Sequence, residues 1–309
     1  MTVLVRDLRP QVPADAEGFA RVRRLALPYI LFTPDSVRHT AAHVHPDARF
    51  RPLVAEEDGE IIGTAQVHLV HDSPEPGQGV LNIYVRPDRT GRGAGRLLAR
   101  AAEEYLTDLG ATRLLAWALD EPANRAFAER RGYRPGRSAD FLRLDLAHGT
   151  LPPLPGTPPG IELRTAADFA ADPRPLFELD AETVRDEPGD VDTEFSDYDA
   201  WVEEVWHHPL LHRELTVVAC AGGRPVAFSV AYTDGGTGYS TAMTGTVRSH
   251  RGRGLAKLVK THSLYRARAA GLAEAFTGND TGNGPMLAIN KWLGYEIRAR
   301  EVRYVRELG

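Results

Sequence analysis

The sequence predicts an α/β fold made of two tandem domains, each a mixed, mostly antiparallel sheet covered by helices. Three observations predict it. The chain has 309 residues, a length that suits two domains of roughly 150 residues each. A proline- and glycine-rich segment lies near its middle, and the order of predicted strands and helices before that segment is repeated after it.

The segment at 145–160, DLAHGTLPPLPGTPPG, contains five prolines and three glycines and has no apolar periodicity. Because proline removes a backbone donor and fixes φ, the segment predicts neither a helix nor a central strand. We therefore expect an N-terminal domain over residues 1–147, a semi-rigid linker over 148–160 and a C-terminal domain over 161–309.

The first part of each half follows one order. A short strand pattern opens each half, at 3–10 and at 161–169, and a helical stretch follows it. Two apolar runs joined by a glycine turn come next, at 51–70 and at 214–233, and they predict a β-hairpin in each half.

The second part of each half also repeats. An Arg-Gly stretch and a helix lead to a Gly-Tyr pair, Gly132-Tyr133 in the first half and Gly294-Tyr295 in the second. The interval from the second glycine of the Arg-Gly stretch to that pair is 39 residues in one half and 40 in the other. Alternating apolar and charged residues at 141–146 and 301–308 predict the closing strands of the two sheets.

Composition and charge exclude several classes of protein. The net charge of −5 argues against nucleic-acid binding by bulk attraction. The single cysteine, Cys220, excludes a disulfide framework and fits a reducing compartment. Charges stand where a signal peptide needs an apolar run, and no stretch approaches the roughly 18 apolar residues of a membrane span. We expect a cytoplasmic protein without a membrane partner, as a monomer or homodimer.

The stretch VRSHRGRGLAK at 247–257 carries the clearest chemistry. It joins a β-prone run to an apolar helical pattern, so it predicts a tight strand-to-helix turn. Gly252 and Gly254 let a ligand approach the main chain, and the unpaired first amides of the helix attract phosphate oxygens. The stretch does not match the P-loop pattern or the dinucleotide pattern G-x-G-x-x-G, so a nucleotide hydrolase and a dinucleotide dehydrogenase are unsupported.

The stretch resembles the acyl-CoA pyrophosphate loop of the GCN5-related N-acetyltransferases (GNAT). That family's loop reads Arg or Gln, two residues, Gly, one residue, then Gly or Ala, and RGRGLA at 251–256 meets it in full. TGRGAG at 90–95 meets it except at Thr90. The resemblance implies acetyl-CoA as cosubstrate, with the working site in the C-terminal half.

The resemblance assigns cofactor binding to two sets of residues. In the C-terminal half they are Thr246, Val247, Arg248, Arg251, Gly252, Arg253, Gly254, Leu255, Ala256, Asn283 and Asn290. A second, N-terminal set is Tyr84, Val85, Thr90, Gly91, Arg92, Gly93, Ala94 and Gly95.

The tyrosine that often serves the family as general acid is absent from both halves. Asn290 and Ala128 stand at the two positions, so another group, water or another tyrosine such as Tyr295 or Tyr239 is expected to protonate the departing thiolate. The candidates for the general base are Glu187, Glu194 and a water molecule, since the acidic stretch at 186–206 follows the helix beside which this family builds its acceptor pocket.

We expect transfer of the acetyl group directly to a primary amine of a small molecule. Three alternatives remain: another acyl donor, including a carrier protein; a CoA-binding protein that senses or scaffolds without catalysis; and nucleic-acid binding, which the acidic total disfavours. No metal is expected, because Pro209 disturbs the spacing of the histidines at 207–212 and those at 39–45 lack a nearby carboxylate.

Overall fold

The computed structural model describes residues 2–71, 73, 75–189 and 197–308. It divides the chain into two compact units. Unit 1 comprises Met1–Asp140 together with Ala299–Gly309, and unit 2 comprises Phe141–Arg298.

The elements of the first part of the chain follow the predicted order. They are β1 (Val3–Asp7), α1 (Pro13–Ala26), α2 (Pro34–His43), β2 (Arg51–Glu57), β3 (Glu60–Leu69), β4 (Gln78–Val85), α3 (Ala94–Asp108), β5 (Arg113–Leu119), α4 (Pro122–Glu129) and β6 (Arg134–Asp145). Short 3-10 turns occupy Pro46–Ala48 and Pro87–Arg89.

The second part repeats that order. Its elements are β7 (Ile161–Thr165), α5 (Arg174–Val184), α6 (Tyr198–Trp201), β8 (Val217–Ala221), β9 (Arg224–Thr233), β10 (Gly238–Thr246), α7 (Leu255–Ala269), β11 (Glu274–Asp280), α8 (Gly284–Leu293) and β12 (Glu296–Glu307). A π-helical turn at Val202–Trp206 continues α6, and 3-10 turns lie at Ala166–Phe169 and Arg248–His250.

The sheet of unit 1 is mixed and covered on both faces. Strands β1 to β4 pair in sequence as antiparallel neighbours, and β4 then pairs with β5 in parallel. Side chains alternate between the faces, so that Ile61 packs with Phe19 of α1 and Ile62 packs with Leu98 of α3. The two helices therefore cover opposite faces.

Unit 2 has the same plan. Strands β7 to β10 are sequential antiparallel neighbours, and β10 pairs with β11 in parallel. Helix α5 packs on β9 and β10, while α7 packs on β8, β9 and β10. Tyr239 of β10 bonds Ser263 of α7. The cross-strand partner of the next residue, Ser240, is Tyr232, whose hydroxyl interacts with Asp180 of α5. Because neighbouring residues of a strand point to opposite faces, α5 and α7 cover opposite faces of this sheet.

The limits of the two compact units lie within the closing strands. The division between the units falls inside β6 and inside β12. Seven residues of β12, from Glu301 to Glu307, pair antiparallel with β5, and Tyr304 lies in the core of unit 1. The strand at 301–308 thus closes the first sheet, because its backbone hydrogen bonds and its buried side chain are both satisfied there.

The expected linker at 148–160 also belongs to unit 2. It forms neither helix nor strand, as its prolines predict. Leu151 is nevertheless buried with Leu264 of α7, and the hydroxyl of Tyr265 donates a hydrogen bond of 3.0 Å to the carbonyl of Pro152. Burial of Leu142 and Leu144 in the same cluster places the second half of β6 in unit 2 as well.

In the described parts of the chain, no helix combines the length and the apolar character needed to cross a membrane.

The assignment of β12 to unit 1 can be tested with Tyr304→Ala. Tyr304 is 2% exposed, so truncation should destabilise unit 1 by about 3–5 kcal/mol. We expect hydrogen exchange to accelerate in β2 to β5 while residues 161–298 keep their protection. Arg298→Ala, at an exposed position of the same strand, is the matched control. Accelerated exchange confined to unit 2 would contradict the assignment.

Candidate active site

A cleft opens in unit 2 where two parallel strands separate. β10 and β11 pair only over Gly238–Ser240 and Glu274–Phe276. A register shift between Thr241 and Met243, with the extra residue Ala242, bends β10 away immediately afterwards. Beyond it, residues 243–246 remain paired with β9 on one side only. Apart from the Thr246 carbonyl, which accepts a hydrogen bond from Arg251, their backbone groups on the other side can pair with an extended ligand.

The Arg-Gly stretch forms the turn at the end of β10. Arg251 is extended (φ −67°, ψ 161°), whereas Gly252 and Gly254 have positive φ of 74° and 75°. A Cβ added to either glycine would meet no atom within 4 Å, so the glycines serve backbone conformation and not close packing. Helix α7 starts at Leu255 without a side-chain cap. Its first amides are thus open to an anion.

Two arginines of this turn share one carboxylate. Arg248 Nε donates to Asp186 Oδ2 at 2.9 Å, and Arg251 Nη2 donates to the same oxygen. Arg251 Nε also donates to the carbonyl of Thr246 at 3.1 Å. These two guanidinium groups hold the pKa of Asp186 well below its usual range. Asp186 is therefore paired with both arginines of the turn.

The corresponding turn of unit 1 has the same backbone. Thr90 is extended (φ −67°, ψ 162°), and Gly91 and Gly93 have φ of 76° and 91°. The replacement of the leading arginine by Thr90 has thus left the loop conformation intact. Arg92 Nη1 donates to Glu57 Oε2 at 2.8 Å. Ala94 and Gly95 form the first turn of α3, where an added Cβ at Gly95 would lie 3.6 Å from Val85.

The cleft of unit 1 is bridged by a side chain. β4 and β5 also pair over only three residues each before they separate. Asn82 Oδ1 then accepts a hydrogen bond of 2.9 Å from the backbone N–H of Trp117, across the gap between the strands. Tyr84, expected beside the cofactor, is buried with its ring 4.1 Å from the Arg23 guanidinium carbon. The glycine turns of the two units therefore have the same conformation, whereas the gap between the separating parallel strands differs.

The two asparagines named for cofactor binding lie on α8. Asn283 is its N-cap, and its Oδ1 accepts a hydrogen bond of 3.2 Å from the N–H of Met286. Asn290 is fully buried and donates to Asn279 Oδ1 on β11. Asn279 follows the last paired residue of β11 by three positions, so this amide pair lines the wall of the cleft.

The candidate tyrosines are enclosed on the α7 face. Burial raises the pKa of Tyr295 well above its ordinary value. Tyr239 is completely buried, and its hydroxyl lies 2.7 Å from Ser263 Oγ. Both phenols therefore hold their protons tightly, which makes them weak donors near neutral pH.

Lys260 is a buried cation that the sequence analysis did not single out. It is 1% exposed, and its Nζ lies 3.4 Å from Thr277 Oγ1, the first β11 residue beyond the paired segment. Burial lowers the pKa of Lys260 to about 7. The sequence feature that could have identified Lys260 is its helical spacing, because Lys260, Leu264 and Ala267 share the buried face of α7.

Asp180 is a buried carboxyl on α5, which covers the face of the sheet opposite α7. The sequence analysis did not single it out either. It is 7% exposed, and Trp201 Nε1 donates to its Oδ2 at 2.9 Å. Burial, with a smaller contribution from the charge of Glu187, raises the pKa of Asp180 to about 6, although the hydrogen bond from Trp201 opposes the shift. The spacing of Leu176, Leu179 and Asp180 places this carboxyl on the buried stripe of α5.

Helix α5 lies close to β10 beside Asp180. A Cβ added to Gly245 would approach Thr183 Cβ within 2.6 Å, and Thr183 is one turn from Asp180 on α5. Only glycine therefore permits this contact. Glu187, named as a candidate base, is exposed in the turn after α5 and acts on Asp180 by its charge. Glu194 lies outside the described residues.

Within the parts of the chain that the structure describes, no group of three or more histidine, cysteine or carboxylate side chains is arranged to hold a metal ion.

The raised pKa of Asp180 predicts how stability depends on pH. Below about pH 3 the carboxyl is mostly protonated in both the folded and the unfolded state. As the pH rises to about 6, the unfolded state ionises first, so unit 2 loses about 3 kcal/mol. Asp180→Asn should therefore stabilise unit 2 by about that amount at neutral pH and have little effect at about pH 3.

Denaturant unfolding followed by tryptophan fluorescence measures this difference. Asp199→Asn, an exposed position on α6, is the matched control and should change neither curve. Equal effects of Asp180→Asn at both pH values would show that the carboxyl does not titrate between them.

The sequence is similar to those of known acetyltransferases. Residues 19–133 match the model of the acetyltransferase (GNAT) family. A mycothiol acetyltransferase of Nocardia farcinica is 36% identical over 170 residues, which cover 54% of this chain and 48% of that protein. The aligned part thus spans about half of that relative. A mycothiol acetyltransferase of Thermomonospora curvata is 28% identical over 258 residues, covering 83% of this chain and 82% of the relative.

Solved structures share the fold over the full length. A GCN5-related N-acetyltransferase from Sphaerobacter thermophilus has a TM-score of 0.72 at 20% identity, covering 99% of this chain and 95% of that one. A tandem GNAT protein from the clavulanic acid biosynthesis pathway also has a TM-score of 0.72 at 20% identity, with coverages of 100% and 99%. The predicted fold class is confirmed. Residues 19–133 match the acetyltransferase (GNAT) family model, the sequence is similar to mycothiol acetyltransferases, and the whole chain shares the fold of a tandem GNAT protein.

Proposed function

We propose that unit 2 transfers the acetyl group of acetyl-CoA to a primary amine of a small molecule. The observation that carries the proposal is the cleft between β10 and β11, which opens beside an uncapped glycine turn and has a titratable buried group on each side. The relatives are named mycothiol acetyltransferases, which supports acetyl transfer.

The turn of unit 2 fits the pyrophosphate of the cosubstrate. The first amides of α7 offer donors, and Arg248 and Arg251 can exchange their shared carboxylate for phosphate oxygens. Residues 243–246 of β10 offer backbone groups to the amide-containing arm of CoA. Asn279 and Asn290 line the wall along which that arm would extend.

The two buried groups suit the two proton transfers. Asp180, with a pKa of about 6, is ionised near neutral pH and accepts the proton of the acceptor amine. The amine nitrogen attacks the thioester carbon, a C–N bond forms, and the C–S bond breaks. Lys260, with a pKa of about 7, then donates a proton to the departing thiolate. We prefer Lys260 to Tyr295 as the donor because burial makes the phenol a much weaker acid.

Unit 1 is proposed to bind without catalysing. Its turn keeps the backbone of a phosphate site, but the hydrogen bond between Asn82 and Trp117 occupies the gap through which the thioester would reach an acceptor.

Matched glycine variants test which turn serves catalysis. Gly254→Glu and Gly93→Glu introduce the same charge at a residue with positive φ (75° and 91°), a strain of about 1–3 kcal/mol in each unit. We expect Gly254→Glu to weaken acetyl-CoA binding at unit 2 and to reduce turnover by at least about tenfold. Gly93→Glu should leave turnover within about twofold.

Calorimetry with acetyl-CoA gives the stoichiometry and affinity for the same variants. Loss of turnover in Gly93→Glu with retention in Gly254→Glu would place catalysis in unit 1. Unchanged acetyl-CoA affinity in both variants would exclude the turns as cofactor sites.

The acid–base assignment predicts a bell-shaped pH dependence of kcat/KM. The acid limb should follow Asp180 near pH 6 and the alkaline limb Lys260 near pH 7. Asp180→Asn should lower kcat by about a hundredfold and remove the acid limb, and Lys260→Met should remove the alkaline limb.

Thiol release with a panel of primary amines, amino sugars included, measures both limbs. Lys291→Met, at an exposed position of α8, is the control for loss of a lysine. If both limbs survive in the two variants, other groups carry the protons.

A further inference from the structure

We propose that unit 1 contains a separate binding site for a small organic acid, in which Arg23 binds the carboxylate of the ligand. The site lies between α1 and the sheet, on the face opposite α3. It is distinct from the glycine turn of unit 1 and does not depend on the acetyl transfer proposed for unit 2.

Arg23 is a buried cation that forms no direct ion pair with a carboxylate among the described residues. It is 4% exposed, and its guanidinium carbon lies 4.6 Å from the centre of the Phe32 ring and 4.1 Å from that of Tyr84. Its Nε and Nη1 are buried and have no hydrogen-bond partner among the described residues. A buried guanidinium is costly unless it is paired. The two free N–H groups match the oxygens of a carboxylate.

Two other arginines, Arg6 on β1 and Arg9 in the segment between β1 and α1, show the contrast. Arg6 and Arg9 both bind the buried carboxylate of Asp15, at 2.6 and 2.9 Å. Arg23 has no such partner among the described residues, although it is more deeply buried than either.

The sheet beneath Arg23 presents polar side chains on one face. Thr64 pairs with Tyr84 across β3 and β4, and Arg303 pairs with Trp117 across β12 and β5. Thr64 is fully buried, and its hydroxyl has no hydrogen-bond partner among the described residues. A buried hydroxyl normally has a hydrogen-bond partner. The hydroxyl is therefore available to a ligand oxygen.

Charge in this region favours an anion. Arg137 and Arg303 flank the Trp117 ring, with guanidinium carbons 4.8 and 5.1 Å from its centre. With Arg23, three guanidinium groups face one carboxyl, Glu301. Burial and the charge of Arg303 lower the pKa of His68 to about 4, so this histidine adds no charge near neutral pH.

Glu301 selects a singly charged ligand. Burial raises the pKa of Glu301 to about 7, against the opposing effects of Arg303, Arg137 and Arg23. A monoanion can share the proton of Glu301, whereas a phosphate dianion would meet a second negative charge in a poorly solvated place. Half-buried Trp117 and Glu301 form the side of the site that reaches solvent.

Binding should strengthen as the pH falls through 7. A bound carboxylate favours the protonated form of Glu301, so the ligand and the proton bind cooperatively. The groups that face Glu301 are Arg303 on β12, Arg137 on β6, Arg23 on α1 and the Tyr84 phenol on β4. Burial raises the pKa of Tyr84 to about 12. Of these groups, Glu301 alone changes charge between pH 6 and 8.

Thermal shift and calorimetry test the site on the full chain. The probes are acetate, lactate, succinate, benzoate and glutamate, each beside its amide, with inorganic phosphate as the dianion. At least one acid should raise the melting temperature while its amide does not. Arg23→Met should weaken the binding of that acid by at least about tenfold. Arg21→Met, a substitution at an exposed position of the same helix, should leave the affinity unchanged.

The pH dependence separates binding from a structural role of Arg23. Affinity for the acid should fall several-fold from pH 6 to pH 8, and Glu301→Gln should remove this fall. No stabilisation by any acid, equal affinity in Arg23→Met, or tighter binding of phosphate than of every acid would each overturn the proposal.

Discussion

The separation of β10 from β11 after three paired residues is the constraint on which unit 2 depends. Parallel strands that part leave backbone donors and acceptors without partners, and such groups are costly when no ligand or water reaches them. The bulge at Ala242 enforces the separation, and Gly245 lets α5 approach the diverging strand. The glycine turn, the amide pair on α8 and the two buried titratable groups are all arranged around that opening.

The two buried groups, Asp180 and Lys260, lower the stability of unit 2. Neither Asp180 nor Lys260 has an oppositely charged partner among the described residues, and burial shifts the pKa of each toward neutrality. Apolar residues at these positions would pack more favourably, since desolvation of a charge outweighs one hydrogen bond. Shifts of this kind at a cleft are typical of sites that move protons. Unit 1 keeps the turn but has Asn82 across its gap, so the same fold there lacks the opening.

Sequence reasoning reached the repeated plan and the phosphate turn because both are local. RGRGLA needs only its neighbours to form a turn, and its backbone angles recur in the other unit even where Thr90 replaces arginine. Asp180 and Lys260 were not predicted as site residues. Each lies on an otherwise apolar stripe of its helix, but a charged residue is expected to be exposed until the packing of the helix is known. The partner of β12 could not be predicted either, since an alternating strand pattern does not specify which edge it will join.

The position of β12 determines the order in which the units can be completed. Unit 2 is one continuous stretch of chain, so all its strands are available once residue 298 has been synthesised. The sheet of unit 1 needs a partner for β5 that follows it by more than 180 residues, as the pair Leu119 and Glu301 shows. Contacts so distant in sequence form late and slowly. During synthesis, β5 therefore carries an unpaired edge while the second unit folds, and an exposed edge of this kind is a site for mispairing.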